Sequence, residues 1–462
     1  MLKASTSHHI TSLCDYVAHA RQADLPEAVA EKAKHHVLDT FAAMVTGVDL
    51  PVGRIAIAYC RAQGGVPTAS IAGTDFLTST VNAALANGMI AHADETDDSH
   101  PAAIGHPGCV VVPAALAAAE QVGASGADFL RAVVLGYDLY ARVNLALGPR
   151  EIYDRGHGPY SIGGAWGAAA AAGLLLDIPR DRLPYLFSNV AQQTSGIATW
   201  MRDADHIEKA FHFGGMPARN GVSAATMVAA GFTGLDDVLN GRGNFMDAFS
   251  SQPDRDVLID GLGTRFEITL TNIKKWCVGS PIQAVLDSLE WLMKNEGVTG
   301  DQVEEVRVHM PPGVIDVVVD RGMSDISCPF CVALMLVDGR FTFKDSHDPA
   351  RMRDPAVLAM KEKVSLVPSE ILRKAKPIRQ AIVEVHLLDG RRLSHRTYAV
   401  KGVYEDPLDR PEVAAKAEDL MAPVLGADPC RAMIEKVFAL DQVPDVRDFR
   451  SFLQRTQEPD QK

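Results

Sequence analysis

The chain has no apolar run long enough to cross a bilayer. Its most apolar stretch, Gly163 to Leu176 (GGAWGAAAAAGLLL), stops at Asp177, short of the roughly 20 residues that a spanning helix needs. The many Gly and Ala residues in it fit a tightly packed core helix instead. An apolar signal segment is missing too. His8, His9 and Asp15 stand where one would have to lie, so a cytosolic protein is expected. Cysteine is scarce. Seven in 462 residues is not a disulfide framework, and the odd count leaves at least one free thiol. Positive charge is also in short supply: 45 Lys and Arg face 58 Asp and Glu, a net −13. An acidic surface repels phosphate backbones and anionic lipid, which argues against nucleic acid and membranes as partners. If the ligand is an anion, the cations that hold it must be gathered locally. The remaining composition, 47% hydrophobic and 22% charged, is that of a globular protein and excludes a disordered or fibrous chain.

Several motifs are absent as well. GHGPYSIGGAWG and GRGNF fit neither the dinucleotide fingerprint nor a P-loop. Ser161 and Ser195 lack a G-x-S-x-G elbow. Cys328-Pro-Phe-Cys331 has CxxC spacing, but there is no second CxxC for zinc and no βαβ context for redox work. Two small buried thiols in a strand or helix are expected there.

What is present falls into two parts. Up to about residue 265 the chain is rich in Ala, Gly and Leu. Val29 to Gly47, Thr78 to Ala93, Val110 to Gln121, Ala127 to Ala146, Ile162 to Leu176 and Ser223 to Ala230 read as helices. Small residues on so many faces favour a close-packed bundle. Near residue 266 the pattern shifts. Phe266 to Leu270 (FEITL) and Val303 to Met310 (VEEVRVHM) alternate like strands, and Pro281 to Lys294 is helical. Ala381 to Leu388, the turn Asp389-Gly390 and Leu393 to Val400 read as a hairpin. From Pro411 the pattern is helical again. The expectation is a mainly α protein: residues 1–265 with 411–462 form a large helical domain, and 266–410 form a smaller α+β domain. The polar tail after Arg455 is expected to fray.

The densest polar cluster is His92-Ala-Asp94-Glu95-Thr96-Asp97-Asp98-Ser99-His100, followed by His106-Pro107-Gly108. It lies between two apolar helical runs, where a loop is clamped in place and sites are often built. A merely solvated acidic loop would not need three His. The spacing is not HExxH and matches no other metal-ligand pattern. Next, Arg155-Gly156-His157-Gly158-Pro159 sets a His on a Gly-flanked turn at a helix start, which favours an anion, though an incidental surface His would look the same. Lys209 and His212 lie in an apolar stretch, and Lys274 and Lys275 stand beside Trp276. A Lys is more often solvated. In an acidic protein, Lys in apolar surroundings is more telling, because its burial costs free energy unless an anion is bound.

Taken in order, VLDTFAAMVTG, VNAALANGMIAHADETDDSH, HPGCVVVPAALAAAE, GYDLYARV, GHGPYSIGGAWGAAAAAGLL, EKAFHFGGMPARNGVSAATMVAAGFTG, IKKWCVGSPIQAVLDSL and CPFCVALMLVDG resemble the MmgE/PrpD family. That family includes 2-methylcitrate dehydratases, cis-aconitate decarboxylases and iminodisuccinate epimerases. The resemblance implies a large helical domain from both chain ends, a smaller α+β lid, a homodimer, and no metal or organic cofactor. The family's loop pattern H-x-x-D-x-D-D-T before a later His-Pro corresponds here to His92, Glu95, Asp97, Asp98, Ser99 and His106. Glu stands where Asp is usual, and Ser where Thr is usual. The family's site His matches His157, its two site Lys match Lys209 and Lys274, and a family Tyr falls at Phe330.

The chemistry such residues would share is movement of a proton, or build-up of charge, at carbon next to a carboxylate. Lys209 and Lys274 would hold carboxylates and stabilise that charge. His106 and His157 would act as acid and base, since imidazole titrates near working pH. Glu95 and Asp98 complete the catalytic candidates. Ser99, Asp97, His100, Arg155, His212 and Lys275 are the substrate-binding candidates. The expectation is a cofactor-independent lyase that eliminates water from a small di- or tricarboxylate. Decarboxylation and epimerisation by the same residues are the alternatives, and a metal-dependent hydrolase built on the His92–His106 cluster is a remoter one.

Overall fold

The structure is a computed structural model that describes residues 6–319 and 322–455; the tail expected after Arg455 lies outside them. The chain forms two compact units. Among the described residues, the first comprises 6–93, 97–272 and 413–455, and the second 94–96, 273–319 and 322–412.

The first unit is helical. Its core helices are α1 (Glu27–Gly47), α2 (Thr80–Ala91), α3 (Gly108–Val122), α4 (Gly126–Leu147), α5 (Pro159–Leu175) and α6 (Met216–Ala229). Local signals set their ends. The Ser79 and Ser125 side chains cap α2 and α4 by accepting from the Asn82 and Asp128 amides, which satisfies orphan N–H groups of the first turn. Gly123, in the left-handed region at φ 67°, stops α3. The small residues read from the sequence serve backbone contact. A Cβ on Gly167 would lie 2.5 Å from the Gly136 carbonyl, and one on Gly163 2.4 Å from the Tyr140 carbonyl, so α4 and α5 touch where larger residues could not fit. Among the described residues no single helix is long and apolar enough to cross a membrane.

The end of the chain returns to this unit. On α9 (Arg410–Leu425) the Lys416 ammonium lies 2.6 Å from the Asp39 carboxylate of α1. Arg450 pairs with the buried Glu120 at 2.8 Å and donates to the Thr68 carbonyl.

The second unit is α+β. Strands β1 (Val303–Met310), β2 (Val364–Pro368), β3 (Ala381–Leu387) and β4 (Arg392–Thr397) form one sheet in the order β2-β1-β3-β4. The β1–β2 pair is parallel and the other two are antiparallel. Val306, Val308 and Met310 of β1 and Ala381, Val383, Val385 and Leu387 of β3 share one core with helices α7 (Gln283–Glu296) and α8 (Cys328–Asp338). Val303 joins them out of step because the pairing with β3 shifts between Val303 and Glu305.

One sequence expectation is corrected. FEITL is no strand; Glu267–Leu270 is a 3-10 turn. Its Glu267 is buried, with its amide donating to Asp138 at 2.7 Å and its carboxylate 3.2 Å from His100. These tertiary bonds outweigh the alternating pattern. The segment stays with the first unit, and the second unit resumes at Ile273 and runs to Glu412.

The CxxC pair opens α8, and both sulfurs are free, buried thiols. Burial pushes the Cys328 thiol up to about 12 and also raises Cys331, so neither is a thiolate at neutral pH. Ellman's reagent is expected to leave both unmodified in the native protein and to label both in guanidinium. Fast native labelling of either, located by peptide mass, would overturn the structural reading.

Candidate active site

Helix α2 ends at Ala91 and α3 begins at Gly108. The loop between them brings His92, Asp97 and His106 together. Asp97 Oδ2 lies 2.9 Å from His92 Nδ1 and 3.3 Å from His106 Nδ1. Burial pulls the His92 imidazole below its ordinary range, and the Asp97 carboxylate opposes that shift. His92 is therefore neutral at pH 7, with Nδ1–H donating to Asp97, and its Nε2 has no hydrogen-bond partner among the described residues. An imidazole oriented by a carboxylate, with its other nitrogen free, is the arrangement of a general base. The His106 side chain keeps 12% exposure while those of His92 and Asp97 keep none. Its main-chain amide donates to the Tyr140 hydroxyl at 3.0 Å. One ligand atom from each of His92, Asp97 and His106 falls within 4.8 Å of the others, close enough to hold a metal ion.

Asp98, next in sequence, has another job. It accepts from His36 Nδ1 at 2.8 Å, from the Tyr137 hydroxyl at 2.6 Å and from the Gly108 amide at 2.9 Å. Burial lowers His36 to about 4, which makes it a neutral donor. A Cβ on Gly108 would sit 2.9 Å from the Asp98 carboxylate, so only Gly lets the first amides of α3 come this close. With both oxygens engaged, Asp98 ties the loop to α1, α3 and α4.

Lys209 arrives from the other side of the cluster. After Ile207–Ala210 the chain makes a π-turn, Phe211–Gly215, before entering α6. Such insertions recur at functional sites. Here Gly214 presses on Gly88 of α2, where a Cβ would lie 2.0 Å from the Gly88 carbonyl. The turn swings Phe213 onto His92, with ring centroids 4.6 Å apart, and onto Tyr160 at 3.8 Å; His106 is 5.4 Å away. The Lys209 ammonium lies 5.3 Å above the Phe213 ring and 5.7 Å from Trp200, within cation–π range. His206, held in the left-handed region at φ 65°, adds a ring 5.2 Å from His92. Sequence reasoning missed Tyr160, Trp200, His206 and Phe213. The pair Gly214-Gly215 that ends the π-turn is the one sequence feature that points to them.

His212 stays beside the aromatic wall, its ring 6.4 Å from Tyr160 and 6.3 Å from Trp200. His212 is wedged between two glycines: a Cβ on Gly158 would meet its Nε2 at 2.0 Å, and one on Gly196 its Cε1 at 2.4 Å. Burial lowers His212 to about 4, so it is neutral and offers no charge to an anion. His157 sits on the turn before α5, its ring edge-on to Phe249 at 5.6 Å. Arg155 is exposed; it donates to the Phe249 carbonyl and lies 3.5 Å from Glu151. Ser99 exchanges main-chain bonds of 3.0 and 2.8 Å with Asn272. The His100 ring is held by Glu267 and by the Ala103 amide. These bonds fix the Ser99 main chain and the His100 ring.

In the second unit, Lys274 Nζ donates to the Glu95 carbonyl at 2.8 Å and lies 3.5 Å from the Glu95 carboxylate. Both residues are buried. Lys275 points elsewhere. It pairs with Glu290 at 2.5 Å and Asp287 at 3.5 Å and lies over the Trp276 ring, so its charge is already matched by carboxylates. Phe330 is buried in α8.

Two family models match: the MmgE/PrpD N-terminal domain over residues 11–258 and the MmgE/PrpD C-terminal domain over residues 276–442. The chain belongs to the MmgE/PrpD family. This MmgE/PrpD protein is 25% identical to a cis-aconitate decarboxylase-like protein, oryM, of Aspergillus oryzae, with 96% of each chain covered. It is 22% identical to a cis-aconitate decarboxylase of Aspergillus terreus, with 94% of each covered. The human cis-aconitate decarboxylase is 25% identical, over 96% of this chain and 93% of the relative. The mainly α architecture is that of the family, and its matched relatives are lyases of carboxylate substrates.

Proposed function

We propose that this protein is a lyase for a small di- or tricarboxylate and that its reaction is decarboxylation. The observation that carries the reading is the imidazole pair, His92 and His106, bridged by Asp97 with the Lys209 ammonium on the neighbouring aromatic wall. In such a reaction the bond from carbon to one carboxylate breaks, carbon dioxide leaves, and the electron pair left on carbon takes up one proton. His106, the member of the pair that retains some exposure, delivers that proton and regains one from water. Asp97 orients both rings and stabilises whichever becomes imidazolium. From the family resemblance, Lys209 and Lys274 are read as the cations that bind substrate carboxylates. The names of the relatives favour decarboxylation over the water elimination first expected. The same groups would serve either, so the choice is put to the test below. From the family resemblance we also read the protein as a cytosolic homodimer that needs no metal; light scattering measures the assembly.

The test is incubation with cis-aconitate, citrate, 2-methylcitrate and an amino-diacid in deuterated water, followed by NMR. The expected result is carbon dioxide release with one deuteron gained at carbon. Loss of water from a hydroxy acid would make it a dehydratase, and exchange with inversion an epimerase. Activity abolished by a chelator and restored by a divalent ion would replace the acid–base reading with a metal at His92, Asp97 and His106.

Lys274→Ala is expected to lower kcat/KM about 10–100-fold, mostly through KM. A hydrogen bond to a charged group is worth about 1.5–3 kcal/mol, and removing ground-state binding raises KM first. An unchanged kcat/KM would remove Lys274 from the site.

A further inference from the structure

We propose that His347 is a positioning residue for Lys274, acting through the tripeptide Asp94-Glu95-Thr96; this rests on the reading above that Lys274 holds a substrate carboxylate. The tripeptide is pinned at every residue. Asp94 is folded into a tight turn, accepting from the Thr96 amide at 3.0 Å and the Thr96 hydroxyl at 2.6 Å. The Glu95 amide donates to Asp325 Oδ2 at 3.2 Å. His347 Nε2 lies 3.0 Å from Asp94 Oδ2 and 3.9 Å from Asp325 Oδ2, so one ring faces both carboxylates. The ring itself is fixed, stacked on Phe343 at 4.1 Å, with Nδ1 3.1 Å from the Phe343 carbonyl and 3.0 Å from the Ser346 hydroxyl.

The protonation follows from these partners. The Phe343 carbonyl can only accept, which puts a proton on Nδ1, and two carboxylates favour a second proton on Nε2. Asp94 and Asp325 are the titratable groups facing the ring; Lys344, Asp345 and Asp348 flank it along its own segment. The Asp94 and Asp325 carboxylates hold the imidazole up to about 9 against the effect of burial. The cation therefore ties together two buried carboxylates that would otherwise repel each other, and those two carboxylates set the position of Glu95. Lys274 rests on the Glu95 carbonyl, so a shift of that backbone moves the ammonium directly. None of these groups except Lys274 is required to touch a substrate.

The test is a double-mutant cycle read by calorimetry with tricarballylate, a saturated tricarboxylate that cannot react. His347→Gln is expected to weaken tricarballylate about tenfold at pH 7.5 when Lys274 is present and less than twofold in Lys274→Ala. The wild-type affinity should fall between pH 8 and 9.5, and His347→Gln should lack that fall. Equal losses in both backgrounds, or the same pH profile in both proteins, would overturn the proposal. Should His347→Gln fail to fold, Asp94→Asn breaks the same contact from its other side and carries the same expectations. If the wild type neither binds nor turns over any acid, the carboxylate reading itself has failed, and the tether is judged by hydrogen exchange alone. The amides of residues 94–96 should then exchange at least tenfold faster in His347→Gln, and unchanged exchange sinks it.

Discussion

His106→Ala is expected to lower kcat/KM for the carboxylate substrate by about 10²–10⁴-fold, the usual worth of one positioned proton transfer, while the protein stays folded. The two halves of that expectation come from different atoms. The fold is held at this point by the main chain: the His106 amide donates to the Tyr140 hydroxyl, and Asp98 grips the Gly108 amide two residues on. Alanine keeps both bonds. The chemistry is held by the ring, which shares Asp97 with His92 and is lost. His92 does not replace it, because its ring is fully enclosed against Phe213 while His106 is the partly open one. Circular dichroism and the melting temperature should match wild type, and single-turnover rates should show the loss. A rate within tenfold of wild type would take His106 out of the mechanism.

The same loop shows what a sequence discloses and what it hides. Its density of His and acids marks it at sight, since no core or solvated surface calls for both together. Which acid does what is not written there. Asp97 and Asp98 are neighbours of one residue type, yet one side chain turns to two imidazoles and the other to His36, Tyr137 and Gly108. The deciding partners come from α1 and α4, and local pattern says nothing of them. Lys274 and Lys275 repeat the lesson: adjacent ammonium groups face opposite sides, one to Glu95 and the other to Glu290. Elements whose own alternation sets their burial were legible. Strand β1 and the β3–β4 hairpin stand where period-two patterning and Asp389-Gly390 placed them. FEITL has the same alternation and failed, because long-range bonds to Glu267 decided its shape. The π-turn at Phe211–Gly215 is hidden for a related reason. A one-residue insertion does not disturb helical periodicity enough to read, yet it sets the direction of Phe213 and the entire aromatic wall.

Lys416→Met is expected to destabilise the protein by about 3–5 kcal/mol near neutral pH, the cost of leaving a buried charge without its partner. Asp39 is 1% exposed and Lys416 8%, so water cannot replace the lost ammonium. The loss should depend on pH in a defined direction. Burial raises Asp39 from 3.8 to about 6 even with Lys416 beside it. Below pH 3.8 the carboxyl is protonated whether the chain is folded or not and makes no difference to stability. Between 3.8 and 6 the unfolded chain releases a proton that the fold retains, so this group's contribution falls as pH rises, and above 6 it is constant. Without Lys416 the folded-state value rises further and the falling window extends upward. Urea unfolding should therefore show a small deficit for the variant at pH 4.5 and the full one at pH 8, and Asp39→Asn combined with Lys416→Met should recover most of it. An equal deficit at both pH values would mean that packing of the Lys stem, not charge, is what α9 contributes. The consequence reaches the site, because α1 carries Asp39 one turn after His36, and His36 is the residue that holds Asp98. A chain end that neutralises Asp39 keeps that turn of α1 in register, and with it the loop that carries Asp97 and His106.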